Sequence, residues 1–386
     1  MIEEIKEMNY YKIKMIIIKT TKIFLIAILI FSSMYSYSQK TKNMKDAAAL
    51  KLDSFLKEIA PKGTMFGHQD DMAYGMGWRG LYDESDIKRI TGSYPAVFGW
   101  DLGKIGNNAN IDDVPFDSIR SYIKHAYELG GINTISWHAF LPDDATDPWN
   151  VKQKVVTELL PGGKNHKALT NQLDLVADFL LLLKDKHGNQ IPYIFRPWHE
   201  MDGSWFWWGK GHCTTDEYKQ LYRFTIDYLR NTKGITSMLV GYSPDRNFYT
   251  AEEYYTYYPG DEYVDLLGMD DYWDLGTEER NLDIAVKKLE IIVTEAKKKN
   301  KIAAMTETGL NLIPEADWFT TLDKVVSANE TTKQISYVLV WRNFDQTQFF
   351  APYPGHSSVP AFLNWVNKPD IWLLKDLQEY KKNKKQ

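Results

Sequence analysis

Short apolar runs alternate with longer amphipathic stretches along the chain from about residue 44. The runs hold four to eight residues and are rich in β-branched and aromatic side chains, which predicts strands. Eight strands are predicted, at 64–67, 96–101, 131–138, 191–196, 237–243, 264–270, 301–307 and 336–341. Between them, apolar residues recur at helical spacing and predict helices over 117–129, 171–184, 216–231 and 282–298.

The predicted strands are apolar on both faces, as in the run Met238, Leu239 and Val240. Strands buried on both faces belong to parallel sheets that helices cover. Eight β/α units in one chain fit an α/β fold of the (β/α)8 TIM-barrel type, built as a single domain. The alternative, a doubly wound open sheet, favours a glycine-rich phosphate turn after its first strand, whereas residues 67–71 read Gly-His-Gln-Asp-Asp.

The first forty residues have a different pattern. Several lysines precede an uninterrupted apolar run over 23–31, and serines follow it. A run of nine apolar residues is too short to span a bilayer, so the pattern predicts a signal peptide over 1–38. We therefore expect a secreted or periplasmic catalytic domain over 39–386, with no stable membrane span after cleavage. An uncleaved N-terminal anchor is the alternative.

Composition narrows the classes of partner. The net charge of −5 gives no electrostatic reason to expect nucleic acid. The single cysteine, Cys213, excludes an internal disulfide and is a poor candidate nucleophile. No H-E-x-x-H, C-x-x-C or calcium-loop motif is present, so we expect no metal and no cofactor. The 13 Trp, 24 Tyr and 17 Phe suit both a large core and the stacking of sugar rings.

Polar and aromatic residues follow six of the predicted strands. In a barrel these carboxyl ends converge on one face, where active sites are built. The residues are Trp100 and Asp101, Trp137 and His138, Trp198 to Glu200, Asp271 to Trp273, Glu307 and Thr308, and Trp341 and Arg342.

Two glutamates each end an apolar strand, Glu200 after the fourth and Glu307 after the seventh. Retaining glycoside hydrolysis needs two carboxyl groups about 5–5.5 Å apart, one of them kept protonated by an apolar or like-charged setting. Trp198 and the aromatic run 205–208 surround Glu200 in the sequence and can provide that setting. The alternative is that both glutamates only pair with nearby arginines.

The segment 196–209, Arg-Pro-Trp-His-Glu-Met-Asp-Gly-Ser-Trp-Phe-Trp-Trp-Gly, resembles the acid/base segment of glycoside hydrolase family 26, best known for β-mannanases. Met-Thr-Glu-Thr-Gly at 305–309 resembles that family's nucleophile segment. Further similarity at 66–69, 98–101, 136–139, 269–272 and 340–343 extends the resemblance over nearly the whole chain after the signal segment.

The resemblance implies Glu200 as acid/base and Glu307 as nucleophile. It implies substrate-binding roles for six further residues: His199 near the 2-hydroxyl of the −1 sugar, Tyr272 on the nucleophile, His138 at the −1 or −2 sugar, Trp341 as the −1 floor, Arg342 beside it, and Trp205 at the +1 sugar. Trp149 is either a distal stacking platform or loop packing. The pair Met201 and Asp202 departs from the Asn-Thr or Met-Asn expected there.

The resemblance favours a retaining endo-β-1,4-mannanase acting on mannan, galactomannan or glucomannan as a monomer. A β-1,3-xylanase and a mixed-linkage β-glucanase remain alternatives, because the choice depends on whether the −1 site accepts an axial 2-hydroxyl. A non-catalytic polysaccharide-binding protein is the alternative from another class, but it has no use for the glutamate pair. Endo and exo action are both compatible with the sequence.

Overall fold

The computed structural model describes residues 45–142, 147–151 and 155–384. Eight parallel strands follow one another around a closed barrel, and the eighth pairs with the first. They are β1 (Thr64–Gln69), β2 (Val97–Asp101), β3 (Ile132–Trp137), β4 (Tyr193–Pro197), β5 (Met238–Tyr242), β6 (Leu266–Asp271), β7 (Ile302–Thr308) and β8 (Tyr337–Val340). The predicted (β/α)8 barrel is confirmed.

Helices connect the strands and cover the barrel. They are α1 (Ala47–Ile59), α2 (Asp86–Thr91), α3 (Phe116–Glu128), α4 (Val156–Leu159), α5 (His166–Leu181), α6 (Thr215–Asp227), α7 (Ala251–Tyr254), α8 (Leu282–Lys298), α9 (Trp318–Val326), α10 (Val359–Val366) and α11 (Leu374–Asn383). The four predicted helices correspond to α3, α5, α6 and α8. The prediction for α6 ran on to residue 231, whereas the last turn is a π-helix over Tyr228–Thr232.

Local sequence explains where two of these helices begin. At α6, the Thr214 hydroxyl accepts the backbone N–H of Glu217, and the Glu217 carboxylate accepts the N–H of Thr214. This capping box satisfies two backbone donors that the first turn leaves unpaired. At α8, the Asn281 side chain accepts the N–H of Ile284. Both helices therefore start at a residue whose side chain replaces a missing backbone partner.

Short strands add to the barrel. Tyr74–Gly75 pairs antiparallel with Trp78–Arg79 after β1, and Asn343–Asp345 pairs with Gln348–Phe349 after β8. A further strand, Ile371–Trp372, pairs in parallel with the start of β1. The first two hairpins lie at the carboxyl ends of barrel strands, and so on the face where the candidate site is built.

All residues of β4, β5, β6 and β7 are buried, which agrees with their apolar sequences. The predicted signal peptide over 1–38 lies outside the described residues. Within the described part of the chain, none of the helices has the length and apolar character needed to cross a membrane.

Candidate active site

Three carboxylates meet at the carboxyl ends of β4, β6 and β7. Glu200, Asp270 and Glu307 each contribute one oxygen to a group whose members lie within 4.8 Å of one another, and all three side chains are buried. A separation of this size between Glu200 and Glu307 suits a retaining pair, because an inverting pair stands about 6.5–9.5 Å apart to admit a water molecule.

A β-bulge brings Glu307 to this position. Met269 of β6 is paired with Met305, but the next residue, Asp270, is paired with Glu307, so Thr306 is the extra residue on β7. The Thr306 hydroxyl lies 2.7 Å from a carboxylate oxygen of Asp270 and 2.9 Å from the carbonyl oxygen of Met269. Bulges re-aim side chains next to active sites, and this one sets the direction of Glu307.

Arg196 lies among the carboxylates and comes from inside β4. Its Nη1 donates to Asp270 Oδ2 at 2.6 Å and to Ser243 Oγ at 2.9 Å, and its Nη2 pairs with Glu307 Oε1. Among the described residues, Glu200, Asp270 and Glu307 are the one group with the spacing of metal ligands. Arg196 already supplies positive charge to two of its three members.

Both oxygens of the Glu307 carboxylate are held by donors. Arg196 pairs with Oε1, and the Tyr272 hydroxyl donates to Oε2 at 2.9 Å. A nucleophilic carboxylate must present one oxygen to the reacting carbon in a fixed direction, and donors on either side provide that orientation. The predicted contact between Tyr272 and Glu307 is present in the structure.

Glu200 has a different environment. Burial raises the pKa of Glu200 well above its ordinary value, and the negative charges of Asp270 and Asp245 raise it further. The indole Nε1 of Trp205 donates to Glu200 Oε2 at 2.6 Å, which acts in the opposite direction. A carboxyl group with a raised pKa keeps its proton near neutral pH and can deliver it to a leaving group.

The backbone at the end of β4 turns sharply. Trp198 and Glu200 have φ values of 54° and 55°, a left-handed conformation that side-chain-bearing residues seldom adopt. The Glu200 N–H donates to the Ser243 carbonyl at 2.9 Å, and the Trp208 indole donates to the His199 carbonyl at 2.9 Å. Such conformations cost about 1–3 kcal/mol each and persist where surrounding contacts fix them.

The rings of His138 and His199 contact each other edge to face, with 4.6 Å between their centroids. His138 Nδ1 is 2.8 Å from Asp101 Oδ2, and its Nε2 is 3.3 Å from His199 Nε2. Burial disfavours charge on both rings, but the Asp101 carboxylate outweighs it and raises the pKa of His138. Burial, and then the charge of Arg196, lower the pKa of His199 well below its ordinary value. The two neighbouring rings thus have pKa values shifted in opposite directions.

The predicted aromatic residues lie at different distances from the carboxylates. Trp149 is 49% exposed, and its ring centroid is 5.7 Å from that of His138. The half-buried Trp341 also packs against His138, with 5.8 Å between the ring centroids. Trp205 is the one that contacts Glu200 directly. The Trp149 ring also packs against Phe206, with 5.8 Å between the centroids, so it has one packed side and one exposed side.

Arg342 contacts residues outside the group of three carboxylates. Its guanidinium pairs with Asp112 in the segment after β2 and donates to Gln348 Oε1 at 2.8 Å. Its Cζ also lies 4.7 Å from the centroid of the Phe344 ring. The structure thus brings Glu200, Glu307, Tyr272 and the two histidines together, and places Arg342 at the rim beside them.

Comparison with known proteins identifies the family. Residues 40–358 match the sequence model of glycosyl hydrolase family 26. This chain belongs to family 26. A mannan endo-1,4-β-mannosidase of Bifidobacterium adolescentis is 34% identical over 304 residues, which are 72% of this chain and 30% of that relative. Another mannan endo-1,4-β-mannosidase, from Bacillus subtilis, is 33% identical over 222 residues, which are 54% of this chain and 58% of the relative.

Solved structures of family 26 agree with the barrel. A β-mannanase of this family from Bacteroides ovatus superposes with a TM-score of 0.82 at 42% identity, covering 86% of this chain and 96% of that one. The chain spans between 30% and 58% of the length of the two curated relatives named above. The resemblance to family 26 in the sequence motifs is therefore confirmed.

Four residues of this family 26 site could not be assigned roles from the sequence alone: Arg196, Asp270, Asp101 and Asp202. The first two are charged residues inside buried strands, a signal that was available but indicates no particular partner. Asp202, at the point of departure from the expected motif, accepts the backbone N–H groups of Asp245 at 2.6 Å and Asn247 at 2.8 Å. It therefore fastens the segment after β5 to the turn that carries Glu200.

Cys213 takes no part in this arrangement. Its thiol donates to the Trp208 carbonyl at 3.2 Å, and burial raises its pKa to about 12. A thiol with so high a pKa holds almost no thiolate at neutral pH, and the thiolate is the nucleophilic form. This geometry agrees with the expectation that Cys213 is a poor nucleophile.

Proposed function

We propose that this chain is a retaining endo-β-1,4-mannanase that hydrolyses mannan, galactomannan or glucomannan by double displacement. The observation that carries the proposal is the pair of Glu200 and Glu307, with carboxylate oxygens within 4.8 Å of each other in contrasting environments. The two relatives named mannan endo-1,4-β-mannosidase support mannan as the substrate class.

In the first step, an oxygen of the Glu307 carboxylate attacks the anomeric carbon of the −1 sugar. The bond from that carbon to the glycosidic oxygen breaks, and Glu200 gives its proton to the departing oxygen. A glycosyl ester on Glu307 results, and Glu200 becomes a carboxylate. Arg196 and Tyr272 fix the attacking group, since they hold its two oxygens.

In the second step, the Glu200 carboxylate takes a proton from a water molecule, whose oxygen attacks the same carbon from the face that the leaving group vacated. The ester bond to Glu307 breaks, and the sugar leaves with its original configuration. The raised pKa of Glu200 matters in both directions, because the group must release a proton and then recover one near neutral pH.

The other predicted residues bind the sugar chain in this proposal. Trp341 stacks under the −1 sugar with Arg342 at the rim, Trp205 stacks on the +1 sugar, and Trp149 serves a more distant glycone unit. His138 and His199 present ring nitrogens to hydroxyl groups. The contact between Trp205 Nε1 and Glu200 gives that indole a second function, since it fixes both the acid and the stacking surface.

A polysaccharide panel tests the substrate. Purified protein lacking residues 1–38 should release reducing sugar from β-mannan faster than from β-1,3-xylan or mixed-linkage β-glucan. Faster hydrolysis of either competitor would replace the mannanase assignment while keeping the hydrolase mechanism. Binding without hydrolysis of any polymer would instead support the non-catalytic sugar-binding alternative.

We further propose that residues 1–38 direct export and are removed, and that the enzyme acts as a monomer. The lysine-rich segment followed by nine apolar residues supports export, and an open polysaccharide cleft needs no partner subunit. Terminal sequencing of the exported protein should begin near Gln39, and size-exclusion with light scattering should give one chain per particle. An intact N-terminus in the membrane fraction would support the anchor instead.

A further inference from the structure

Trp273 is held in place without being buried. Its indole lies under the guanidinium of Arg246, with 4.2 Å between Cζ and the ring centroid, and its Nε1 donates to Glu279 Oε2 at 3.2 Å. Even so, 38% of its surface is exposed. A tryptophan whose orientation is fixed on one face and one edge, while much of its apolar surface faces solvent, has the properties of a stacking surface for a ligand.

Its position relative to the catalytic pair is set by two attachments. Trp273 directly follows Tyr272, whose hydroxyl holds the Glu307 carboxylate. Arg246 lies between Asp245 and Asn247, the two residues whose backbone N–H groups are held by Asp202. Trp273 and Arg246 are thus each next in sequence to residues that are hydrogen-bonded to Glu307 or to the segment that carries Glu200.

The proton transfer decides which part of the substrate lies here. Glu200 protonates the glycosidic oxygen, so the departing sugar chain must pass along the segment that carries Glu200. Asp202 belongs to that segment and fastens Arg246 beside it. We have proposed Trp205, on the same segment, for the first departing sugar, and a stacking surface fastened to that segment suits the sugar after it.

On this basis, and resting on the proposed function, we infer that Arg246 and Trp273 form a distal platform for the leaving-group side of the substrate, at a β-linked hexose unit beyond the one on Trp205. The apolar C–H face of the sugar stacks on the exposed indole. Arg246 also fixes the indole through the cation–π contact. The platform therefore favours long substrates over short ones.

The test compares a long substrate with one that has a short leaving group. Mannopentaose reaches the platform, whereas the aryl group of a 4-nitrophenyl β-mannobioside extends only to the first departing position. Trp273→Ala should lower the ratio of kcat/KM for mannopentaose to kcat/KM for the aryl mannobioside at least about tenfold, as expected for loss of a stacking contact. Arg246→Ala should lower the same ratio about threefold to tenfold.

Two further readouts separate this role from a structural one. The double variant should be close to Trp273→Ala, because Arg246 acts largely through the ring. Hydrolysis in 18O-labelled water marks which bond of mannopentaose is cleaved. In Trp273→Ala the cleaved bond should lie nearer the reducing end, since fewer sugar units are held on the leaving-group side. The matched control is Tyr82→Ala, which removes an aromatic ring that is 82% exposed and packs on His125 in the last turn of α3.

The ratio for Tyr82→Ala should stay within about twofold of the parent, as for a surface residue away from the site. An unchanged ratio and cleavage pattern in a normally melting Trp273→Ala would overturn the platform, and so would an equal loss on both substrates. If Trp273→Ala fails to fold, Trp273→Phe and Arg246→Ala decide through the same ratio. If the parent enzyme cleaves another polymer instead, the proposed substrate fails, and the platform is tested with that polymer's oligosaccharide and aryl glycoside.

Discussion

We propose different roles for the two glutamates because their surroundings differ residue by residue. Glu307 has a donor on each oxygen, which fixes it for attack. Glu200 is buried among other carboxylates, which raises its pKa and keeps its proton available. Like charges close together cannot all be ionised, so the arrangement separates the acid from the nucleophile.

This asymmetry predicts different results for the two alanine variants. With an activated aryl β-mannoside, which needs little protonation, Glu200→Ala should still form the glycosyl ester, and azide should speed its release as a β-glycosyl azide. Glu307→Ala should lose turnover of every substrate, because no ester can form. Product analysis by NMR checks both. Rescue of Glu307→Ala by azide with inverted product, without rescue of Glu200→Ala, would exchange the two roles.

The buried carboxylates near Glu200 predict a pH effect. The reaction needs protonated Glu200, so kcat/KM should fall as pH rises through its pKa. Asp245→Asn removes a negative charge that raises this pKa. The pKa of Glu200 should then be lower, and the alkaline limb of kcat/KM should move toward lower pH.

The control for this pH shift is Asp117→Asn, which removes a carboxylate that is exposed in the first turn of α3. Its profile should match that of the parent enzyme. An alkaline limb that does not move in a correctly folded Asp245→Asn would mean that another group limits the rate at high pH.

At the scale of elements, the sequence predicts the strands well, but it does not predict the hairpin after β8 or the bulge in β7. All eight strands lie within two residues of their predicted bounds, because burial on both faces leaves a continuous apolar run that the sequence displays. The hairpin over Asn343–Asp345 and Gln348–Phe349 was not predicted. Its paired stretches are too short for a periodic pattern, and a side chain helps to hold it, since Asn343 Oδ1 accepts the N–H groups of Phe350 and Ala351.

The bulge in β7 could not be predicted from the sequence either, because it depends on the pairing of β7 with β6. Thr306 reads as an ordinary strand residue, and only the pairing of Asp270 with Glu307 shows that it is the extra one. The convergence of strand ends was predictable from the barrel. The connection from Arg196 to Asp270 and Glu307 was not, because these residues come from three strands and sequence spacing carries no information about their contact.

The bulge predicts a specific effect for Thr306→Val. Valine keeps the shape but cannot bond to Met269 and Asp270, so Glu307 should lose its fixed direction. We expect kcat on mannan to fall about tenfold, and the free energy of unfolding to fall by about 1–3 kcal/mol.

The matched control on the same strand is Thr308→Val. It removes one buried hydroxyl that donates to the Asp271 carbonyl at 2.7 Å. Its loss of stability should be similar, while its kcat should remain well above that of Thr306→Val. Steady-state kinetics and chemical unfolding measure the two effects separately. Equal kcat losses in both variants would show that the bulge does not aim the nucleophile.

For the whole molecule, the closed barrel allows a charged group to be placed at the centre of a largely apolar core. Arg196 is buried on β4, and it pairs with Asp270 of β6 and Glu307 of β7, two and three strands further around the barrel. Such a cluster contributes little net stability compared with apolar packing, but removing one partner leaves charges buried without compensation. Arg196 therefore compensates the buried negative charge of Asp270 and Glu307.

This predicts a pH-dependent loss of stability in Arg196→Met. Near pH 7 the variant should unfold with about 3–5 kcal/mol less free energy than the parent, because its buried carboxylates have lost their cation. Burial already raises the pKa of Asp270 in the parent while Arg196 opposes that rise, so in the variant its folded-state pKa should lie further above the unfolded one. Stability from the protonated forms is then present below the unfolded value, about 4, and is lost as pH rises through the folded value. The deficit relative to the parent should thus shrink as the pH is lowered from 7 toward 5.

Adding Asp270→Asn to Arg196→Met should recover part of the stability at pH 7 but not the activity, since Glu307 still lacks a donor on one oxygen. Urea unfolding at both pH values measures the deficit, and an equal deficit at pH 5 and pH 7 would show that lost packing, not uncompensated charge, accounts for it.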